Sequence, residues 1–288
     1  MAKFLFVVQG EGRGHMTQAI SMYHLLTANG HEVCSVMVGC SNNREIPRFF
    51  YDKIAAPVIP FASPNFVVDG RNKSIKFYTR LTAYGASKRL ALSFYELPSH
   101  KRVRVIPPLL RKEVYSARVS EGDYFLVYLV NSGYSEEIIR WNEKNPRQEL
   151  HCFWDKKDAP EEFRHSPTLT FHRLSDQKFL KLMAACKAFI STAGFESICE
   201  SMYFGKPVFL VPVEGHFEQL CNAIDAQVAG AGIYDTTFSI DKLMHYLPDH
   251  IPSDNFRNWA NMLPNRFLGE IQAVTERSGT DAAYANTN

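Results

Sequence analysis

Residues 191–223 read STAGFESICESMYFGKPVFLVPVEGHFEQLCNA, and this stretch decides how the rest of the chain is read. It follows a short apolar run, Ala188 to Ile190, of the kind that predicts a buried strand. Four small residues (Ser191, Thr192, Ala193, Gly194) then turn the chain, and apolar positions at helical spacing predict a helix over 195–203. Gly205-Lys206-Pro207 ends that helix, residues 207–211 predict another buried strand, and a further helix is predicted over 217–228. A strand that passes through small residues into a helix leaves backbone amides pointing outward at the positive end of the helix dipole. That is a natural seat for a diphosphate.

The same alternation extends on both sides. Residues 124–130 predict a strand, Asn131-Ser132-Gly133 a turn, 135–145 a helix and 150–154 a strand, with a further strand at 169–171 and a helix at 176–185. Near the start, 3–8 predicts a buried strand, 16–28 a helix closed by Asn29-Gly30, and 31–38 a second strand. Strand–helix alternation at this spacing predicts α/β architecture with parallel sheets. Two domains are expected. One takes 1–106, with a linker at 107–119 around Pro107-Pro108, and the other takes 120–277. A final helical pattern over 255–276, interrupted at Pro264, is free to pack back on the first domain, and 278–288 is expected to be a disordered tail. The first domain looks incomplete. It offers two clear strands, a weaker one at 57–61 and one at 81–85, which is thin for a doubly wound sheet. An irregularity is therefore expected near Phe77–Tyr78.

A second motif lies between the first strand and the first helix: Gly10-Glu11-Gly12-Arg13-Gly14-His15. Its glycines permit a sharp turn and close approach of backbone to a ligand. A dinucleotide fingerprint needs glycine where His15 stands, and the second strand ends Val38-Gly39-Cys40 with no acid for a ribose; a Gly-Lys-Ser/Thr phosphate loop is also absent. His15 falls at the carboxyl edge of the sheet, where open α/β sheets bind ligands. Further along, Glu200 stands one and a half turns into its helix, and Glu218 and Gln219 open the next one. Alone, these residues read as solvated helix positions, and Asn222 as capping or surface.

Together, in this order and spacing, the two motifs resemble the GT-B glycosyltransferases. The relatives are the UDP-glycosyltransferases of the plant secondary-metabolite type and the N-acetylglucosaminyltransferase that forms peptidoglycan lipid II. The plant-type signature has a glycine with glutamate six positions on, as at Gly194 and Glu200, then G-x-P, an acid–Gln pair and Asn-Ala. Gly205-Lys206-Pro207, Glu218-Gln219 and Asn222-Ala223 match those steps. The resemblance implies a GT-B fold, two Rossmann-like doubly wound domains facing across a cleft. It implies an inverting, metal-independent transfer from a nucleotide-diphosphate sugar, with UDP favoured by kinship. In that reading His15 is the catalytic base, and Gly12, Gly14, Ser191, Thr192, Ala193 and Gly194 hold the donor diphosphate. His172, Arg173, Leu174 and Glu200 take the base and ribose, and Glu218 and Gln219 the donor sugar. The sequence departs from the signature at Leu174, where the plant enzymes carry a base-stacking tryptophan, and at Glu196, where they carry asparagine. A nucleotide-sugar 2-epimerase and a non-catalytic nucleotide-sugar-binding module share the architecture and stand as alternatives.

The chain has 288 residues, 45% hydrophobic and 22% charged, with a formal charge of +2, so no basic excess suggests a nucleic-acid partner. The excess is local: residues 71–118 carry twelve Lys or Arg and two Glu, a candidate for peripheral contact with an anionic membrane bearing a lipid-linked acceptor. No Asp-x-Asp occurs, no cofactor is implied, and the six cysteines show no zinc spacing. Scattered cysteines and the absence of a long apolar run lead to the expectation of a cytoplasmic protein. The acceptor is not legible.

Overall fold

The computed structural model describes residues 1–10, 12–41, 45–63, 83–100, 103–129, 132–156 and 158–285. The chain divides into two compact units. Of the described residues, the first unit holds 1–63, 83–112 and 258–285, and the second holds 113–257.

In the first unit, β1 (Lys3–Gln9), β2 (Glu32–Cys40) and β3 (Val58–Ala62) form a parallel sheet in that order. Helix α1 (Arg13–Ala28) connects β1 to β2, and α2 (Arg48–Lys53) precedes β3. Alternation along β1 sends Phe6 and Val8 to a core shared with Val33, Val36 and Val38 of β2 and Met16, Ile20 and Leu26 of α1. The opposite alternation leaves Leu5 and Val7 exposed, and the register carries that apolar face across Met37 to Ile59, with Phe61 beyond. A parallel pair, β4 (Arg89–Leu92) and β5 (Val103–Ile106), lends Leu90, Leu92 and Ile106 to the same core. The strand expected over 81–85 does not form where the chain is described: residues 83–85 are a turn, and Gly85 has φ +79°, which favours glycine. The irregularity expected at Phe77–Tyr78 lies outside the described residues.

The helical pattern expected over 255–276 is two helices, α9 (Asn255–Asn261) and α10 (Leu263–Ala285). Pro264 is the second residue of α10, where the first turn tolerates its missing N–H. The helix runs to Ala285, into the segment expected to be a tail. Leu263 and Phe267 enter the first unit's core, and Trp259 donates its indole N–H to the Ser93 carbonyl at 2.9 Å. Within this unit Glu270 pairs with both Lys88 and Arg104, and Arg266 with Glu96 at 2.7 Å. Part of the basic stretch is thus neutralised locally.

The second unit begins within α3 (Lys112–Ser116). It contains β6 (Tyr124–Leu129), α4 (Ser135–Lys144), β7 (Glu149–Trp154), β8 (Glu162–Ser166), β9 (Leu169–Arg173), α5 (Asp176–Ala185) and β10 (Ala188–Ser191). There follow α6 (Phe195–Tyr203), β11 (Val208–Leu210), α7 (Phe217–Val228), β12 (Gly232–Tyr234) and α8 (Ile240–Tyr246). The sheet runs β12-β11-β10-β6-β7-β9-β8, parallel except for β8. β8 is absent from the sequence reading because its charged, exposed residues resemble a loop; as an edge strand it needs no apolar face. The interior strands are buried on both sides, as parallel strands between helices must be. Phe125, Val127, Leu150, Cys152, Phe171, Ile190 and Phe209 fill one face of the sheet. Among the described residues, no helix is long and apolar enough to cross a membrane.

Candidate active site

Leaving out edge strand β8, the second sheet has the doubly wound order, with the order of strand addition reversing between β6 and β10, which are themselves parallel. A sheet of this order opens a crevice beyond the carboxyl ends of its strands at that reversal. Two segments occupy the position. One is the single 3-10 turn Ser132–Tyr134 after β6, and the other is the turn from Ser191 through Gly194 after β10.

The second turn is strained. Ala193 has φ +63°, the only described non-glycine residue with positive φ, a conformation that costs an L-residue roughly 1–2 kcal/mol. Two bonds hold it: the Ala193 N–H donates to Ser191 Oγ at 3.3 Å, and Asn222 Nδ2 donates to the Ala193 carbonyl at 3.1 Å. Asn222 lies 29 residues on, in α7, so two of the motifs identified in sequence are physically tied. Its side chain ties α7 to the turn, where the sequence suggested a cap or surface position. Gly194 caps α6, whose first-turn amides face the crevice; no side chain supplies a cap hydrogen bond. Thr192 is 2% exposed and its hydroxyl has no hydrogen-bond partner among the described residues. A buried orphan hydroxyl costs about 1–3 kcal/mol, so its retention beside a helix N-terminus points to a ligand that completes it.

Glu200 is buried at 3% exposure, in the second turn of α6, where the sequence alone read a solvated residue. Burial, with Glu196 and Glu200 close by, pushes the Cys199 thiol well above its ordinary value. On α7, His216 is the N-cap, accepting the Gln219 N–H at Nδ1 over 3.4 Å. Gln219 is buried and its side-chain oxygen accepts the Val213 N–H at 2.9 Å, which closes the loop between β11 and α7; Glu218 is exposed. On the other wall, Tyr134 stacks on Phe238 at 5.3 Å, and burial, with Glu137 and Glu214 near, raises its phenol. Nothing in the sequence marked Tyr134; only the strand order puts it at the crevice.

The β9 end behaves differently. His172 is 1% exposed, its ring stacked with His151 at 5.1 Å and tilted on Phe153. Its Nε2 lies 2.9 Å from His151 Nδ1, and its Nδ1 3.6 Å from the Glu162 carboxylate. Burial, then Lys178 and His151, lowers its pKa to about 4. His172 is therefore embedded in the sheet face, and of the three residues expected at the base, Arg173 and Leu174 are the ones that reach the carboxyl edge. Arg173 is exposed and pairs with Glu161 at 3.2 Å; Leu174 is half-buried between β9 and α5.

In the first unit, β1 is followed by Gly10, whose N–H donates to the Gly39 carbonyl at 2.9 Å. A Cβ at Gly10 would come within 2.3 Å of that oxygen, so only glycine fits. Gly12, at φ +95°, is the N-cap of α1. Gly14 and His15 lie in the first turn, and His15 is exposed at the carboxyl edge of β1. Among the described residues, no three His, Cys, Asp or Glu side chains group as metal ligands would.

Two α/β units, the second with doubly wound strand order and a ligand-ready turn at its reversal point, define a fold of the GT-B type. The family model described as Glycosyl transferase family 1 matches residues 64–252. The chain belongs to that family and is a glycosyltransferase. The solved structures agree on the fold. A glycotransferase of kitacinnamycin is 14% identical with a TM-score of 0.60, over 94% of this chain and 98% of the other. The calicheamicin glycosyltransferase CalG4 is 10% identical with a TM-score of 0.59, over 95% and 98%. Phytolacca americana UGT2, complexed with UDP-2fluoro-glucose and pterostilbene, is 9% identical with a TM-score of 0.57, over 95% and 99%. No curated protein matches the chain in sequence.

Proposed function

We propose that the protein is an inverting, metal-independent glycosyltransferase that draws its sugar from a nucleotide-diphosphate donor, UDP-linked by kinship, and delivers it to a hydroxyl acceptor. The observation that carries this is the strained turn Ser191–Gly194, with the orphan Thr192 hydroxyl beside the N-terminus of α6 at the reversal of the sheet. Backbone amides, a hydroxyl and a helix dipole already in place suit a diphosphate whose charge grows as it leaves. Glu200 accepts the ribose hydroxyls, Arg173 and Leu174 border the base, and Glu218 and Gln219 take the donor sugar. His15 removes the acceptor proton as that oxygen attacks the anomeric carbon. The bond from carbon to the diphosphate oxygen breaks with its electrons passing to the diphosphate, and the configuration inverts. Histidine as a residue type changes charge near neutral pH and suits such a step. The basic stretch 71–118 leaves a lipid-linked acceptor at an anionic membrane among the candidates. Two structural neighbours are complexes with UDP or a UDP-sugar, which supports UDP as the first donor to test.

The test is an acceptor-free titration with UDP and UDP-glucose, read as the unfolding temperature. A donor at 100 times its dissociation constant adds about 2.7 kcal/mol of stability. Glu200→Ala should abolish most of that gain, since charge-assisted hydrogen bonds contribute about 1.5–3 kcal/mol. Equal gains in wild type and variant would remove Glu200 from the site. No gain with any nucleotide sugar would remove the donor assignment.

A further inference from the structure

Each of the three tryptophans carries one indole N–H, a donor with no acceptor function. Two are satisfied: Trp141 donates to the Asp241 carboxylate at 2.8 Å, and Trp259 to the Ser93 carbonyl at 2.9 Å. The third is not. Trp154 is 8% exposed, and its Nε1 is buried with no hydrogen-bond partner among the described residues. The ring itself is firmly held. Phe171 stacks on it at 4.2 Å with 22° between the planes, and the Lys156 ammonium lies over it at 5.2 Å. A fixed ring with an unpaired buried donor lowers stability until an acceptor completes it.

Its place in the sheet selects the acceptor. Trp154 is the last residue of β7, and the register sets it between Leu129 of β6 and Arg173 of β9. Ser191, where the diphosphate turn begins, is level with Tyr128 and Phe153, one residue short of Trp154. Only β6 lies between β10 and β7, so the two strand ends stand about 10 Å apart at the usual interstrand spacing. That is the scale of the step from a diphosphate across a ribose to its base. Leu174, which offers the base no aromatic ring, follows directly on Arg173, the register partner of Trp154. Tyr134, at the crevice, packs on the same apolar cluster as Trp154.

We propose that Trp154 reads the nucleotide base, its indole N–H donating to a ring carbonyl oxygen. The donor nucleotide then carries a keto base, as uracil, thymine and guanine are. Adenine bears an amine and no carbonyl, leaves the N–H unpaired and is rejected. The proposal rests on the donor reading above and adds which bases that site accepts.

Calorimetric titration of the full chain with UDP and ADP tests it. Wild type should prefer UDP by about tenfold or more, the scale set by one buried donor left unpaired. Trp154→Phe keeps a ring against Phe171 and removes the N–H, so the preference should vanish while ADP affinity stays. A second readout needs no change at Trp154. With tryptophan labelled at the indole nitrogen and assigned through Trp141→Phe and Trp259→Phe, saturating UDP should shift the Trp154 N–H resonance and slow its exchange with solvent. ADP should leave that exchange unchanged. Equal affinity of wild type for UDP and ADP, a Trp154 resonance unmoved by bound UDP, or a preference that survives Trp154→Phe would each overturn the proposal and leave the donor reading standing. Binding of neither nucleotide would overturn both.

Discussion

At Thr192 the interests of stability and binding oppose each other. Its hydroxyl is buried without a partner among the described residues, which costs about 1–3 kcal/mol. Thr192→Val keeps the shape and removes the orphan. It should raise the unfolding midpoint of the free protein while lowering UDP affinity severalfold. Chemical denaturation and a nucleotide titration on the same preparation check both arms; an unchanged affinity would take Thr192 out of the diphosphate site. His15 makes the complementary case. Exposed on the first turn of α1, it can be replaced at little structural cost, so His15→Ala should leave nucleotide affinity intact and cut turnover by about 10²-fold or more. Steady-state kinetics with a transferable acceptor decide it. At this scale the sequence was half legible. Glycine spacing and His15 could be read directly, because a glycine reports backbone geometry by its presence. Ala193 could not, since an alanine gives no sign of a positive φ. Nor could the burial of Glu200, which depends on what α6 packs against.

The elements were legible wherever one physical signal dominated. Apolar runs identified β6, β10 and β11, and β7 despite His151 within it, because strands covered on both faces are mostly apolar. β8 and the β4–β5 pair were missed: the first is an exposed edge, the others are four-residue strands with mixed burial. Strand order came only with the resemblance to a doubly wound fold and not from any strand's own residues, and it is the order that brings Tyr134 to the crevice. A further consequence lies on the face of β7 and β9. Glu149, His151, His172, Glu162 and Lys178 form a chain of contacts, with Tyr124 edge-on to His151 and Phe153 and Phe179 adjoining. The native sheet holds His172 neutral down to about pH 4, whereas the unfolded chain binds that proton near 6.5. Between those values the unfolded state carries more protons, so stability is full above about pH 6.5 and falls as the pH is lowered toward 4. His151 and His250, both lowered chiefly by burial, act in the same direction. His172→Phe should flatten that slope by about 1–2 kcal/mol, read from urea midpoints at pH 7 and 5. An identical slope would show that the pair does not titrate with folding.

For the molecule as a whole, the chain's two ends share one core. Leu263 and Phe267 of the last helix lie in the cluster that contains Phe6, Val8 and Val36 of the first strands. Removing residues 258–288 should therefore expose the first unit's core and abolish its melting transition. Burial of two large apolar side chains is worth about 1.5–3 kcal/mol each, a large share of a small unit's net stability. Proteolysis of the truncated chain should clip within 1–112 first; resistance there would show that the first unit stands without its terminal helix.

The exposed face of the first sheet, Leu5, Val7, Ile59 and Phe61, also bears on how these experiments are read. A fluorescent dye that lights up on apolar surface will find that face on the folded protein and glow before anything melts. Tryptophan emission offers the cleaner signal. Trp141 and Trp154 sit in the second unit and Trp259, 5% exposed, in the first, so a single excitation follows both units and leaves the sticky face unseen.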